Sequence, residues 1–169
     1  MHPNNDKPTP SEFVEYIFDV CKTSPTKDNL IIGNLRNATN PSREYLAWEV
    51  LIRFGVNIGN PQKRIPYLLV ASFIAKSDQS KPDGYPIGKA IAKMHGDNEP
   101  SKVAEVRLRS ILSCISTVEV CKRLKPILVL IQSKGIQVDY RLLLEELCQF
   151  EKTPMRQKTA WATQFHETN

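Results

Sequence analysis

Four cysteines and three histidines are the residues of this chain best suited to act as nucleophile, base or metal ligand, and their spacing equips none of these roles. Cys21, Cys114, Cys121 and Cys148 form no CxxC pair. His2, His95 and His166 share no helical turn with one another or with a cysteine, so neither a zinc site nor a thiolate–imidazole dyad has a local framework. No catalytic residue, metal or cofactor is expected. Each cysteine falls on an apolar helical stripe, where it reads as a small hydrophobe in a reduced compartment. Glu145 and Glu146 are neighbours, but consecutive helical residues point about 100° apart and cannot address one substrate atom together. They read as a solvated face. Neither GxGxxG nor GxxxxGK[ST] occurs, which removes the usual phosphate loops of nucleotide chemistry. Trp48 and Trp161 have faces that could stack on bases, yet each lies within an apolar helical set and reads as core.

The chemistry left is that of charge. Over 169 residues the chain carries 23 Lys+Arg against 18 Asp+Glu, a net +5. The segment Gln62 to Ile127 holds 12 basic and 6 acidic residues, +6, while the remainder holds 11 and 12, −1. All the excess lies mid-chain. Such asymmetry suits a surface that meets a polyanion, and a merely solvated basic face gives the same count.

The elements that position these charges read as helices almost throughout. Ser11 and Glu12 open a first helix with Phe13, Tyr16, Ile17 and Val20 on its buried stripe, ending near Thr23. A shorter helix over 28–37 carries Arg36. Another opens at Pro41 and Ser42 and stops at Gly55. Ile65 to Lys76 is apolar nearly all round and should be the central buried helix, followed by a surface loop over 77–86. The segment 87–94 is a short helix of small residues, ended by Gly96.

Two basic helices then follow. In the first, begun at Pro100 and Ser101, Ala104, Leu108, Ile111, Leu112 and Ile115 face the core; Lys102 and Arg109 project from the other side and Arg107 flanks the stripe. In the second, Val120, Leu124, Ile127, Leu128 and Ile131 repeat the stripe with Lys122 and Lys125 on the far face, and Pro126 should kink or break it. Asp139 caps a further helix, and 155–166 forms the last, bearing Trp161 and Phe165. No strand alternation is present. The expected fold class is all-α, a compact bundle of about eight helices, with a flexible tail over 1–10 and one domain over 11–169 divisible into helical subregions 11–95 and 96–169. The longest apolar run, 65–75, falls short of the ~20 residues a bilayer requires. The polar first ten residues have neither a secretory nor a transit pattern. The expected location is cytoplasmic, with no membrane partner.

Particular residues carry a resemblance. These are Ile87-Gly88-Lys89-Ala90-Ile91-Ala92; Arg107-Leu108-Arg109; Arg123-Leu124-Lys125 with the run Leu128 to Ile131; Gly135-Ile136 with Val138-Asp139-Tyr140 and Leu143-Leu144; and the terminal KTAWATQF, Lys158 to Phe165. In order and spacing, over roughly 64–165, they resemble the small subunit of the type I-E CRISPR surveillance complex, the CasB family of Cascade. The resemblance implies a non-catalytic helical subunit, paired with a second copy of itself and held by the backbone and large subunits. In such a complex guide RNA reads the target, while protein stabilises the R-loop and the displaced strand. Carried over by position, the implied nucleic-acid contacts are Lys89, Arg107, Arg109, Arg123 and Lys125, with Arg36 a weaker match; helical facing adds Lys102 and Lys122. Pro126 departs from the family pattern, which puts the direction of the Lys122–Lys125 face in question.

Two functions of different class stand side by side. A nucleic-acid-binding subunit predicts backbone binding that falls steeply with salt and has little base preference. A helical scaffold or adaptor binding only proteins predicts no retardation of single-stranded DNA at low salt. A sequence-reading helix-turn-helix would need a recognition helix of Gln, Asn, Ser and Arg character, and none is placed convincingly.

Overall fold

The computed structural model describes residues 7–26, 28–96 and 98–167; His2 and the first six residues of the expected tail lie outside them. Among the described residues are nine α-helices: α1 Pro10–Phe18, α2 Asn29–Arg36, α3 Trp48–Arg53, α4 Pro61–Lys76, α5 Ile87–Ala92, α6 Lys102–Leu112, α7 Thr117–Ser133, α8 Tyr140–Gln149 and α9 Pro154–His166. No strand is present among them, and Tyr85 and Val138 form an isolated parallel bridge. The all-α fold expected from the 3.6-residue stripes is the fold observed.

Local chemistry sets the ends. The Thr9 hydroxyl accepts from Glu12 N at 3.2 Å while the Glu12 carboxylate accepts from Thr9 N at 2.5 Å, a capping box that starts α1 at Pro10 instead of Ser11. The expected tail is thus shortened, because Thr9 and Pro10 belong to the helix start. The first helix also changes character, passing into a π-helical turn over Asp19–Thr23. Asp28, Ser101, Ser116 and Asp139 cap α2, α6, α7 and α8 through side-chain oxygens. The helix expected from Pro41 is split, with turns leading to a 3-10 segment Glu44–Ala47 before α3. α4 begins four residues earlier than the apolar run, because Asn60 caps Gln62 N and Pro61 takes the first helical position, where its missing N–H costs nothing. α7 runs unbroken through Pro126, so the expected break is absent.

α4 is central: every residue from Leu68 to Ala75 is buried, and α1, α2, α7 and α8 pack around it. The stripes of α6 and α7 face this core at Ala104, Leu108, Ile111, Val120, Leu124, Ile127, Leu128 and Ile131. One expectation fails there. Ile115 is 85% exposed, since α6 ends at Leu112 and the chain turns away, while Leu112 packs against the core and is partly buried. The loop over 77–86 is not simply a surface loop. Ser77 and Gln79 are buried, and Gln79 bonds Val138 through both ends of its amide, accepting from Val138 N at 3.0 Å and donating to Val138 O at 2.9 Å.

α9 docks on α5 and α8. Trp161 is fully buried and stacks on Phe150, with ring centroids 5.7 Å apart and planes 5° apart; such a pair adds about 0.5–1.5 kcal/mol beyond its buried area. Glu146, expected on a solvated face, is buried instead. It accepts from Trp161 Nε1 at 2.8 Å and from Gln164 Nε2 at 3.0 Å. Burial raises its carboxyl above the ordinary value, and the two hydrogen bonds oppose that rise. No helix among the described residues is long and apolar enough to cross a membrane.

Candidate nucleic-acid interface

α6 and α7 are joined by the short segment 113–116 and pack against each other through their apolar stripes. Polar side chains flanking those stripes therefore meet along the outer seam. There Arg107 and Ser110 of α6 and Lys122 and Arg123 of α7 line one hollow of about 530 Å³. The Arg107 Nε is buried and, among the described residues, has no hydrogen-bond partner. The carboxylate in this lining, Glu119, is already engaged: it accepts from Ile115 N at 2.9 Å at the start of α7. The seam thus gathers three cations around one carboxylate, a net charge of +2.

Lys122 also borders a second hollow, of about 420 Å³, on the other side of α7. Lys125 and Arg64 line it, above an apolar floor that includes Leu68 and Leu69. The two cations differ. Arg64 is held, with Nη2 3.2 Å from the Glu44 carboxylate, Nη1 donating to Ile58 O at 2.7 Å, and its side chain 16% exposed. Lys125 is exposed and reaches Thr39 O at 3.4 Å. Near it stands Lys76, whose amine is pulled below its ordinary value by burial and then by the like charge of Lys125. Arg36, exposed at the end of α2, donates from Nε to Ala75 O at 3.3 Å, beside Lys76.

Of the eight residues singled out in the sequence, Arg107, Lys122 and Arg123 share the seam, while Lys125 continues from Lys122 along α7. Arg36 reaches the chain beside Lys76. Three stand apart. Lys102 opens α6 and is exposed, and Arg109, also exposed, lies 3.7 Å from Glu105 of its own helix; neither lines the two hollows. Lys89 belongs to a different place, between α5 and the end of α9, where its Nζ donates to Glu167 O at 2.6 Å. Lys76 is the residue that sequence reasoning passed over. As the last residue of an apolar helix it has no pattern of its own, and only the packing of α2 and α7 on α4 gives it basic neighbours.

Cys21, Cys114 and Cys121 are buried, with their thiols pushed up by burial, and all four cysteines are free. Among the described residues no group of His, Cys, Asp and Glu is placed to hold a metal.

Solved structures share this fold. CasB from Thermobifida fusca aligns with a TM-score of 0.71 at 20% identity, covering 94% of this chain and 96% of that one. CasB from M. ruber aligns at 0.72 and 23% identity, covering 94% and 93%. A chain of a structure described as a CRISPR RNA-guided surveillance complex aligns at 0.70 and 19% identity, covering 93% and 91%. No curated protein matches the sequence. The family model for CRISPR-associated protein Cse2 matches residues 33–166, a span that takes in α5 with its Gly88, the α6–α7 seam and the α9 anchor. The chain belongs to the CRISPR-associated protein Cse2 family.

Proposed function

We propose that this protein is the non-catalytic small subunit of a type I-E CRISPR surveillance ribonucleoprotein, working in the cytoplasm. It acts beside a second copy of itself and the backbone and large subunits. Its part is to hold nucleic-acid backbone, stabilising the R-loop and the displaced DNA strand while guide RNA reads the target by base pairing. The observation that carries the binding role is the seam, where Arg107, Lys122 and Arg123 meet around one hollow and the Arg107 Nε is unpartnered. Phosphate oxygens are acceptors suited to the guanidinium and ammonium groups that line the hollow, and Lys125, Lys76 and Arg36 extend the basic surface toward α2. The presence of a chain of the same fold in an RNA-guided surveillance complex supports the assembly.

Lysine and arginine that neutralise phosphates release counterions, so the test is salt dependence. The variant Arg107→Glu/Lys122→Glu/Arg123→Glu/Lys125→Glu should keep its helical circular dichroism and lose most retardation of single-stranded DNA. The slope of log affinity against log salt should flatten by about 0.7 for each phosphate the variant no longer neutralises. In the assembled complex the same change should shorten R-loop lifetime without altering which guide sequence is matched. Unchanged affinity and slope in the folded variant would place the binding surface elsewhere on the molecule, and no retardation of single-stranded DNA by the unsubstituted protein at low salt would leave a scaffold that binds only proteins.

A further inference from the structure

A third basic hollow lies away from the seam and from the hollow beside α7. It opens where the segment entering α1, the turn after α3, the first turns of α4 and the end of α8 come together, with a volume of about 520 Å³. Lys7, Lys63 and Lys152 line it, with the amides of Asn57 and Gln149, and no carboxylate is among its described lining residues. All three lysines are exposed. α4 also begins here, so the positive end of a 16-residue helix adds to the field of the ammonium groups. Three like charges around one concavity repel one another unless an anion joins them, and that repulsion is screened by salt.

This hollow is separate from the surface described above. Lys63 and Tyr67 leave α4 on one side, while Arg64, Ile65 and Leu68 leave it toward the hollow shared with α7. We propose that the Lys7–Lys63–Lys152 hollow is a second anion site that takes the phosphates of a nucleic-acid strand independently of the α6–α7 seam. The phosphate chemistry follows from the lysines and amides. The choice of a strand over free phosphate rests on the function proposed above.

The site contains its own reporter. Cys148 lines the hollow and is half-buried, whereas Cys21, Cys114 and Cys121 are buried. Burial pushes its thiol up to about 11, so alkylation at mildly alkaline pH is slow and sensitive to anything seated above the sulfur. The experiment follows iodoacetamide modification of Cys148 by peptide mass spectrometry, using the full chain alone, with a thymidine oligonucleotide, or with pyrophosphate. An oligonucleotide at about ten times its dissociation constant should slow modification about tenfold, because only the vacant fraction reacts. The protection should vanish in Lys63→Glu/Lys152→Glu and persist in the seam variant. Protection by pyrophosphate but not by the oligonucleotide would overturn the assignment to a strand. Absence of protection in the seam variant would overturn independence of the two sites, and protection by neither ligand would overturn the site. Weakened DNA retardation in the seam variant, with Cys148 still protected once the oligonucleotide concentration is raised to occupy this hollow, would support both readings, so the failure of one is distinguishable from that of the other.

Discussion

Replacing Gly88 by alanine tests the packing that seats α9. Gly88 is buried in α5, its N–H donates to Gln164 Oε1 at 3.0 Å, and the backbone of α9 passes directly over it. A Cβ at Gly88 falls well inside contact with the Trp161 carbonyl oxygen and 2.8 Å from Gln164 Cβ. Carbon atoms in good contact sit about 3.5–4.0 Å apart. The backbone of α9 cannot rotate away as a side chain can, so the two helices must separate. Overpacking of this kind costs about 3 kcal/mol, and a stretched Gly88–Gln164 hydrogen bond adds about 1 kcal/mol. Alanine recovers about 1 kcal/mol of helix propensity over glycine. The expected net loss is about 3 kcal/mol, a fall in Tm of roughly 6–12 °C for a chain of this size, read by thermal denaturation followed by circular dichroism. Gly33 in α2 is the control: nothing lies within 4 Å of a Cβ there, so Gly33→Ala should raise stability by about 0.5–1 kcal/mol. A Gly88→Ala protein as stable as the wild type, or one shifted in the same direction as Gly33→Ala, would refute the close approach of α5 and α9.

Four further outcomes are expected. Glu146→Ala should cost about 1–3 kcal/mol in urea unfolding, since it strands the buried Trp161 N–H without an acceptor. Because burial raises the Glu146 carboxyl in the folded state, the native protein holds that proton more tightly than the unfolded chain. Its contribution to stability is therefore greatest below the ordinary carboxylate range and declines as pH rises through the raised value, and Glu146→Gln should flatten that decline in a pH series of melts. Leu124→Ala, at a fully buried position of α7, should cost about 2–5 kcal/mol, while Ile115→Ser, 85% exposed, should change stability by less than about 0.5 kcal/mol. Lys125→Met should move the Lys76 amine part of the way back toward its ordinary value, seen in the NMR titration of its side chain, because the larger cause, burial, is untouched.

Most of the helices were legible along the chain, because helix formation and burial leave a local record. Val120, Leu124, Ile127, Leu128 and Ile131 recur at the helical period whatever they pack against, and Asp28, Ser101 and Asp139 stand where caps must stand. The family likeness was legible too, through residues such as Gly88 and Trp161 whose spacing matches the contacts they make. Which charges meet was settled by packing. Lys102, Arg107 and Arg109 are alike along the chain, but only Arg107 turns into the α6–α7 seam, and Lys89 belongs to a cleft elsewhere. Glu146 gave no sign of burial, since its oxygens are satisfied by Trp161 and Gln164, fifteen and eighteen residues away. Lys63 and Lys152 share a hollow with Lys7 only because the start of α1, the start of α4 and the end of α8 come together. Periodicity reports which face of a helix is apolar; the neighbour that the opposite face meets depends on helix packing, and no local pattern records it.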